Sequence, residues 1–110
     1  MEHADLTDYV LFDDREPQRH VVFESTRLFS QVLCLGRNQS HGPMADRGAD
    51  AMATVLAGEA VVQAGRKRKR LGQWGTALIP AGSELTLINA SEEPLVILLV
   101  TAPPPPPAGG

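Results

Sequence analysis

The sequence is poor in the features that announce a function. With one cysteine, Cys34, it can form neither an internal disulfide nor a cysteine-built zinc site. No apolar run is long enough to cross a bilayer; the longest, Leu95 to Ala102, is broken only by Thr101. No stretch repeats apolar residues at helical spacing for three turns, so long amphipathic helices are not expected. The N-terminus has no basic start followed by an apolar segment, which leads us to expect a cytoplasmic protein with no membrane partner. The triplets Asn38-Gln39-Ser40 and Asn89-Ala90-Ser91 match the glycosylation pattern and carry no meaning without secretion. No Ser-His-Asp logic, glycine-rich phosphate loop or pair of catalytic carboxylates stands out, so the catalytic residues are unknown and enzyme activity is left open.

What is present is enough for one domain. The chain has 110 residues, 43% of them hydrophobic and 21% charged, a composition that folds around one core without disulfides or a structural metal. The net charge of -3 is unevenly spread. Residues 1–17 hold six acids against Arg15 alone and read as an acidic N-terminal arm. The other residues carry nine bases and seven acids, and five of the bases are consecutive, Arg66 to Arg70. Such a run can be a nucleic-acid patch, a localisation signal or a solvated hairpin arm. Without interleaved aromatics or a wider basic footprint the solvated arm is favoured, and no nucleic-acid partner is expected. Folding of the acidic arm over this strand, in the same chain or a partner, is a third option. On a strand, Arg66, Arg68 and Arg70 would share one face and Lys67 and Lys69 the other, which suits only an outer or edge strand.

Short β-rich segments punctuated by glycine and proline fill the rest. The candidates are Val10–Phe12, His20–Phe23, Ser30–Leu35, Ala51–Leu56, Ala60–Gln63, Lys67–Leu71, Ala77–Ile79, Glu84–Asn89 and Leu95–Val100. Ala64-Gly65-Arg66 reads as a tight turn. Leu95–Val100 is apolar at both parities and is expected to be buried on both faces. The spacing predicts an all-β sandwich or small barrel. Residues 18–102 would form the barrel domain and residues 103–110, rich in proline, a disordered tail.

Two blocks then carry a resemblance: GRNQSHGPMADRGADAMATVLAGEA from Gly36, and LGQWGTALIPAGSELTLINASEEPLVILLV from Leu71. The best-matched pieces are Val55-Leu56-Ala57-Gly58-Glu59 and Ile79-Pro80-Ala81-Gly82, with Asn89 at the expected distance beyond Gly82. Together they resemble a small single-domain cupin of the RmlC-like type, which implies an antiparallel double-stranded β-helix, a jelly-roll barrel. Independently of the resemblance, Gly58 and Gly82 fall where strands turn sharply and Asn89 can bond backbone at the next turn.

The metal chemistry of that family does not carry over residue by residue. Metal-bearing cupins hold one ion with two histidines and a glutamate from the first motif and a histidine from the second. Counted back from Gly58, the glutamate falls on Ala51; counted on from Pro80 and Gly82, the last histidine falls on Leu85. The histidine pair falls on Met44 and Asp46, or on Ala45 and Arg47. Methyl and isobutyl groups donate nothing to a metal, so the ordinary metal site is expected to be absent and no cofactor is expected. The alternative is a single divalent transition metal on an atypical set, His41, Asp46 and Asp50, in a metal-dependent oxygenase, isomerase or lyase.

The function expected is binding of a small molecule of unknown identity. By strand parity and the motif positions, its pocket would be lined by His41, Met44, Ala51, Ala53, Val55, Leu85 and Leu87. The resemblance also implies a homodimer. Cys34, in an apolar strand, reads as a buried inert thiol, and Trp74 as a packing or rim residue with ligand stacking as the alternative.

Overall fold

Two antiparallel sheets face each other and enclose the core in the computed structural model, which describes residues 1–104. The strands are β1 (Gln18–Glu24), β2 (Phe29–Leu35), β3 (Ser40–Met44), β4 (Asp50–Ala57), β5 (Ala60–Ala64), β6 (Lys67–Leu71), β7 (Thr76–Ile79), β8 (Leu85–Ile88) and β9 (Leu95–Ala102). One sheet has the order β1-β2-β9-β4-β7 and the other β3-β8-β5-β6. The expected tail at 103–110 falls mostly outside the described residues.

Register explains which side chains meet. Leu33 lies opposite Ile97, which lies opposite Val55; Gln31, Leu99 and Ala53 form the next row, and Phe29, Thr101 and Ala51 the one after. All of these point inward, since partners in a ladder share a face. Val62 and Leu87, paired across β5 and β8, answer from the other sheet. Leu33, Leu35, Val55, Leu87, Leu95 and Ile97 are essentially solvent-free, and each such side chain contributes roughly 1.5–3 kcal/mol through burial.

The outer face of the larger sheet is also apolar, and a short arm covers part of it. Val32, Cys34 and Val96 point away from the core yet are buried, because Leu6 and Tyr9 of a single 3-10 turn (Leu6–Tyr9) pack on them. Asp5 caps that turn through its side chain, which accepts the Thr7 N–H at 3.0 Å. This is why β9 is apolar at both parities, as its sequence suggested.

One expectation is corrected at the N-terminus, and one option is closed within the single chain. Val10–Phe12 forms no strand; the segment is irregular and exposed, and the strand on that side is β1. The acidic arm lies over β2 and β9, whereas Lys67–Leu71 is the far edge of the other sheet. Among the described residues no ion pair joins the two. Arg68 and Arg70 face outward opposite Gln63 and Val61, and Arg70 Nη1 pairs with Glu59 Oε1 at 2.9 Å. A further strand, β3, was not anticipated, because Gly42-Pro43 reads as loop; its pairing with β8 breaks register between His41 and Met44.

The corners use their glycines as the sequence implied. Gly58 and Gly82 have φ of 84° and 88°, a region that side chains with a Cβ avoid. At Gly58 a Cβ would also collide with the Pro94 carbonyl oxygen. Asn89 is fully buried just past β8 and ties one end of the barrel together. Its Nδ2 donates to the carbonyls of Leu35, Gly36 and Glu93, and its Oδ1 accepts from the N–H and hydroxyl of Ser91.

Candidate functional site

The end of the barrel opposite Asn89 is open. A cavity of about 830 Å³ lies there between the β1–β2 edge, the 45–49 loop and the Pro80–Ser83 corner. Its apolar walls come from Phe29, Met44, Ala51, Ile79, Leu85 and Leu99. Its polar groups are Arg19, Gln31, Asp46, Arg47, Ser83 and Thr101. The volume lies within the roughly 300–1,000 Å³ of small-molecule sites.

Strand geometry aims several of these groups. Arg19 pairs with Leu33 and Gln31 with Val21, so both point inward, at diagonal positions of the β1–β2 ladder. Diagonal neighbours sit about 7–8 Å apart, within reach of long side chains meeting one ligand. Arg19 is exposed at the mouth, whereas Gln31 keeps only 6% of its surface. Among the described residues the Gln31 amide has no hydrogen-bond partner, nor is any polar side-chain atom both unpaired and wholly enclosed. Its polar end therefore opens into the cavity. Asp46 and Arg47 arrive from the loop before β4, where Asp46 Oδ1 accepts the Gly48 N–H at 2.8 Å.

The residues expected to line a pocket divide into three groups. Met44, Ala51 and Leu85 line the cavity. Ala53, Val55 and Leu87 do not: strand parity gave their inward direction correctly, but they sit deeper along the barrel, packed into the core at 2%, 1% and 0% exposure. His41 does not border the cavity either. It lies opposite Leu87 on β3, half-buried, and burial together with the positive Arg19 holds its imidazole below the usual 6.5.

The atypical metal set fares no better as a cluster. Asp46 borders the cavity; Asp50 turns to the Pro80–Gly82 corner, where its Oδ1 accepts the Ala81 N–H at 2.9 Å. Among the described residues, no three of His, Cys, Asp and Glu converge. The positions to which motif counting carries the family's metal ligands border the cavity: Met44 with Asp46, or Ala45 with Arg47, then Ala51 and Leu85. Thioether, methyl and isobutyl groups with one carboxylate do not fit a transition metal that takes imidazole and carboxylate ligands.

Two other candidates lie apart from the site. Cys34 is buried under the arm, its Sγ donating to the Tyr9 carbonyl at 3.5 Å, and burial pushes its thiol up. Trp74, at φ 72° in the β6–β7 turn, is 72% exposed and does not border the cavity. Arg19 and Gln31 were missed by sequence reasoning. The available signal was Gln31 itself, a polar residue at an inward parity of an otherwise apolar strand.

This fold recurs widely among solved structures. The chain is 30% identical to TT1209 from Thermus thermophilus, with a TM-score of 0.91 over 96% of this chain and 100% of that one. It is 24% identical to an uncharacterized conserved protein with a double-stranded β-helix domain from Klebsiella pneumoniae, with a TM-score of 0.87 over 94% and 90%. An RmlC-like cupin protein from Desulfovibrio desulfuricans follows at 19% identity, with a TM-score of 0.84 over 94% and 98%. No family model matches the chain, and no curated protein does. With its two antiparallel sheets, glycine corners and these neighbours, the chain has the cupin fold, the RmlC-like double-stranded β-helix.

Proposed function

We infer that this protein binds a small molecule in the mouth cavity and does so without a resident metal. The observation that carries the reading is the lining at the positions that motif counting assigns to the family's metal ligands. They line a cavity of ligand size, and Met44, Ala51 and Leu85 among them give it apolar wall instead of donors. Imidazole would compete for a metal; thioether and aliphatic groups instead favour an organic ligand with apolar surface. No three of His, Cys, Asp and Glu converge among the described residues, and the reading we put forward is binding or sensing. Among the described residues no helix is long and apolar enough to cross a membrane, and we propose a cytoplasmic protein.

We also propose a homodimer, joined through the outer face of the larger sheet. Met52 lies opposite both Leu78 and Val100 there, beyond the part covered by the arm. Met52 and Leu78 are 42% and 72% exposed, an apolar row that a second copy would cover.

Elemental analysis of untagged protein, before and after dialysis against a chelator, tests the central reading. Substoichiometric transition metal in both samples is expected. A full equivalent that disappears on His41→Ala or Asp46→Ala substitution would overturn it and establish a site built from the 41–50 loop.

A further inference from the structure

The polar groups of the cavity are of one kind. Two guanidiniums, Arg19 and Arg47, stand against one carboxylate, Asp46, so the lining carries one net positive charge. Asp46 is partly spoken for by the Gly48 N–H. Among the described residues, neither Arg19 nor Arg47 has an ion-pair partner; the pairs present are Arg37 with Glu92 and Arg70 with Glu59. Next to Arg19 on the ladder, the Gln31 amide is 94% withdrawn from solvent and opens unpaired into the cavity. The amide is thus free to bond whatever enters the cavity. Met44 and Leu85 from the smaller sheet, with Ile79 and Leu99 from the larger, give the cavity its aliphatic lining.

We propose that the cavity is a receptor for a small organic acid bearing one carboxylate on a compact apolar body. The Arg19 and Arg47 guanidiniums and the Gln31 amide hold the carboxylate, and the aliphatic wall holds the body. This rests on the cavity being the ligand site, and it names the ligand's class. A monoanion balances the lining; a doubly charged phosphate ester would meet Asp46 with charge to spare, and a cation would face two guanidiniums. A guanidinium takes a carboxylate through paired N–H donors, a geometry that a neutral amide cannot return.

The test is calorimetric titration of the intact chain with three matched probes: 3-phenylpropionate, its primary amide, and 3-phenylpropylamine. The carboxylate is expected to bind at least about tenfold more tightly than the amide and the amine, with the preference weakening at high salt. Arg19→Gln is expected to remove most of that preference, and Arg37→Gln, at the Asn89 end of the barrel beside Gly36, to leave it intact. Gln31→Glu is expected to reverse it in favour of the amine. Melting curves of each unliganded variant separate loss of binding from loss of fold, and Arg19→Gln, at an exposed position, keeps the test valid if the buried substitution unfolds. Equal binding of carboxylate and amide, or a preference that survives Arg19→Gln, overturns the organic-acid inference while leaving the cavity as a ligand site. Silence from all three probes overturns both.

Discussion

Asn89 offers the sharpest test of how this barrel is held together. Its Nδ2 lies 3.0 Å from the Leu35 carbonyl, 3.2 Å from that of Gly36 and 2.8 Å from that of Glu93. Its backbone N–H donates to Gln39 at 3.0 Å. One side chain thus joins the end of β8, in the smaller sheet, to the end of β2 and the approach to β9, both in the larger. Asn89→Ala removes every side-chain donor from this point. The Leu35 carbonyl bond is buried, and leaving such a group under-satisfied costs about 1–3 kcal/mol. The two half-buried carbonyls add about 1 kcal/mol between them, because water reaches them in part. The sum is about 3 kcal/mol, a large share of the roughly 5–15 kcal/mol expected of a domain. Urea unfolding should show a lower midpoint with an unchanged slope. Asn89→Asp keeps the shape and changes the charge. The new carboxyl faces three carbonyl oxygens in a buried site, so its proton is held more tightly in the folded than in the unfolded chain. The folded state then binds more protons above about pH 3.9, and the stability deficit relative to wild type must grow as pH rises. A loss under about 1 kcal/mol for the alanine variant, or a deficit independent of pH for the aspartate variant, would refute the account.

Three further outcomes follow from the geometry. The His41 imidazole is held below its usual 6.5 by burial and by Arg19, so the unfolded chain takes up its proton first as pH falls. Stability should therefore decline below about pH 6.5 and be insensitive to this group above it; a His41→Gln variant with the same slope in acid would exclude the assignment. Gly58→Ala combines a φ of 84° with a collision at the Pro94 carbonyl, and should cost about 2 kcal/mol or more in thermal unfolding. Leu78→Glu should convert a dimer to a monomer in light scattering while changing the monomer's stability by only about 0.5 kcal/mol, as its exposure implies; a wild-type monomer would sink the proposed interface.

Legibility in the sequence followed the range of the forces involved. Backbone demands are local, so Gly58, Gly82, the Gly65 turn and the bonding role of Asn89 were readable from their neighbours. Strand parity was readable too, which is why Ala51, Leu85, Ala53, Val55 and Leu87 were all assigned the correct face. Depth along the barrel was not, because it depends on which ends of two sheets close; Ala53, Val55 and Leu87 went to the core for that reason. Arg19 acquires its meaning only from the β1–β2 register, which sets it diagonally beside Gln31. The segment at 40–44 gave no strand signal because Gly42 and Pro43 argue against one locally, and only pairing with β8 overrides them. The 3-10 turn was invisible for a related reason: Leu6 and Tyr9 form a useful apolar pair only where Val32 and Val96 await them.

Strand β8 carries Leu85 in the cavity wall at one end and is followed by Asn89 at the other, about 13 Å apart at strand spacing. Groups that far apart with no shared partner change free energy almost additively. The barrel is thus modular along its axis. Substitutions around Gly36, Asn89 and Ser91 can raise or lower stability with little effect on what the cavity recognises. Changes at Arg19, Gln31, Met44 and Leu85 can retune recognition without loosening the closed end. A chain built this way can acquire a new ligand without first acquiring a new fold.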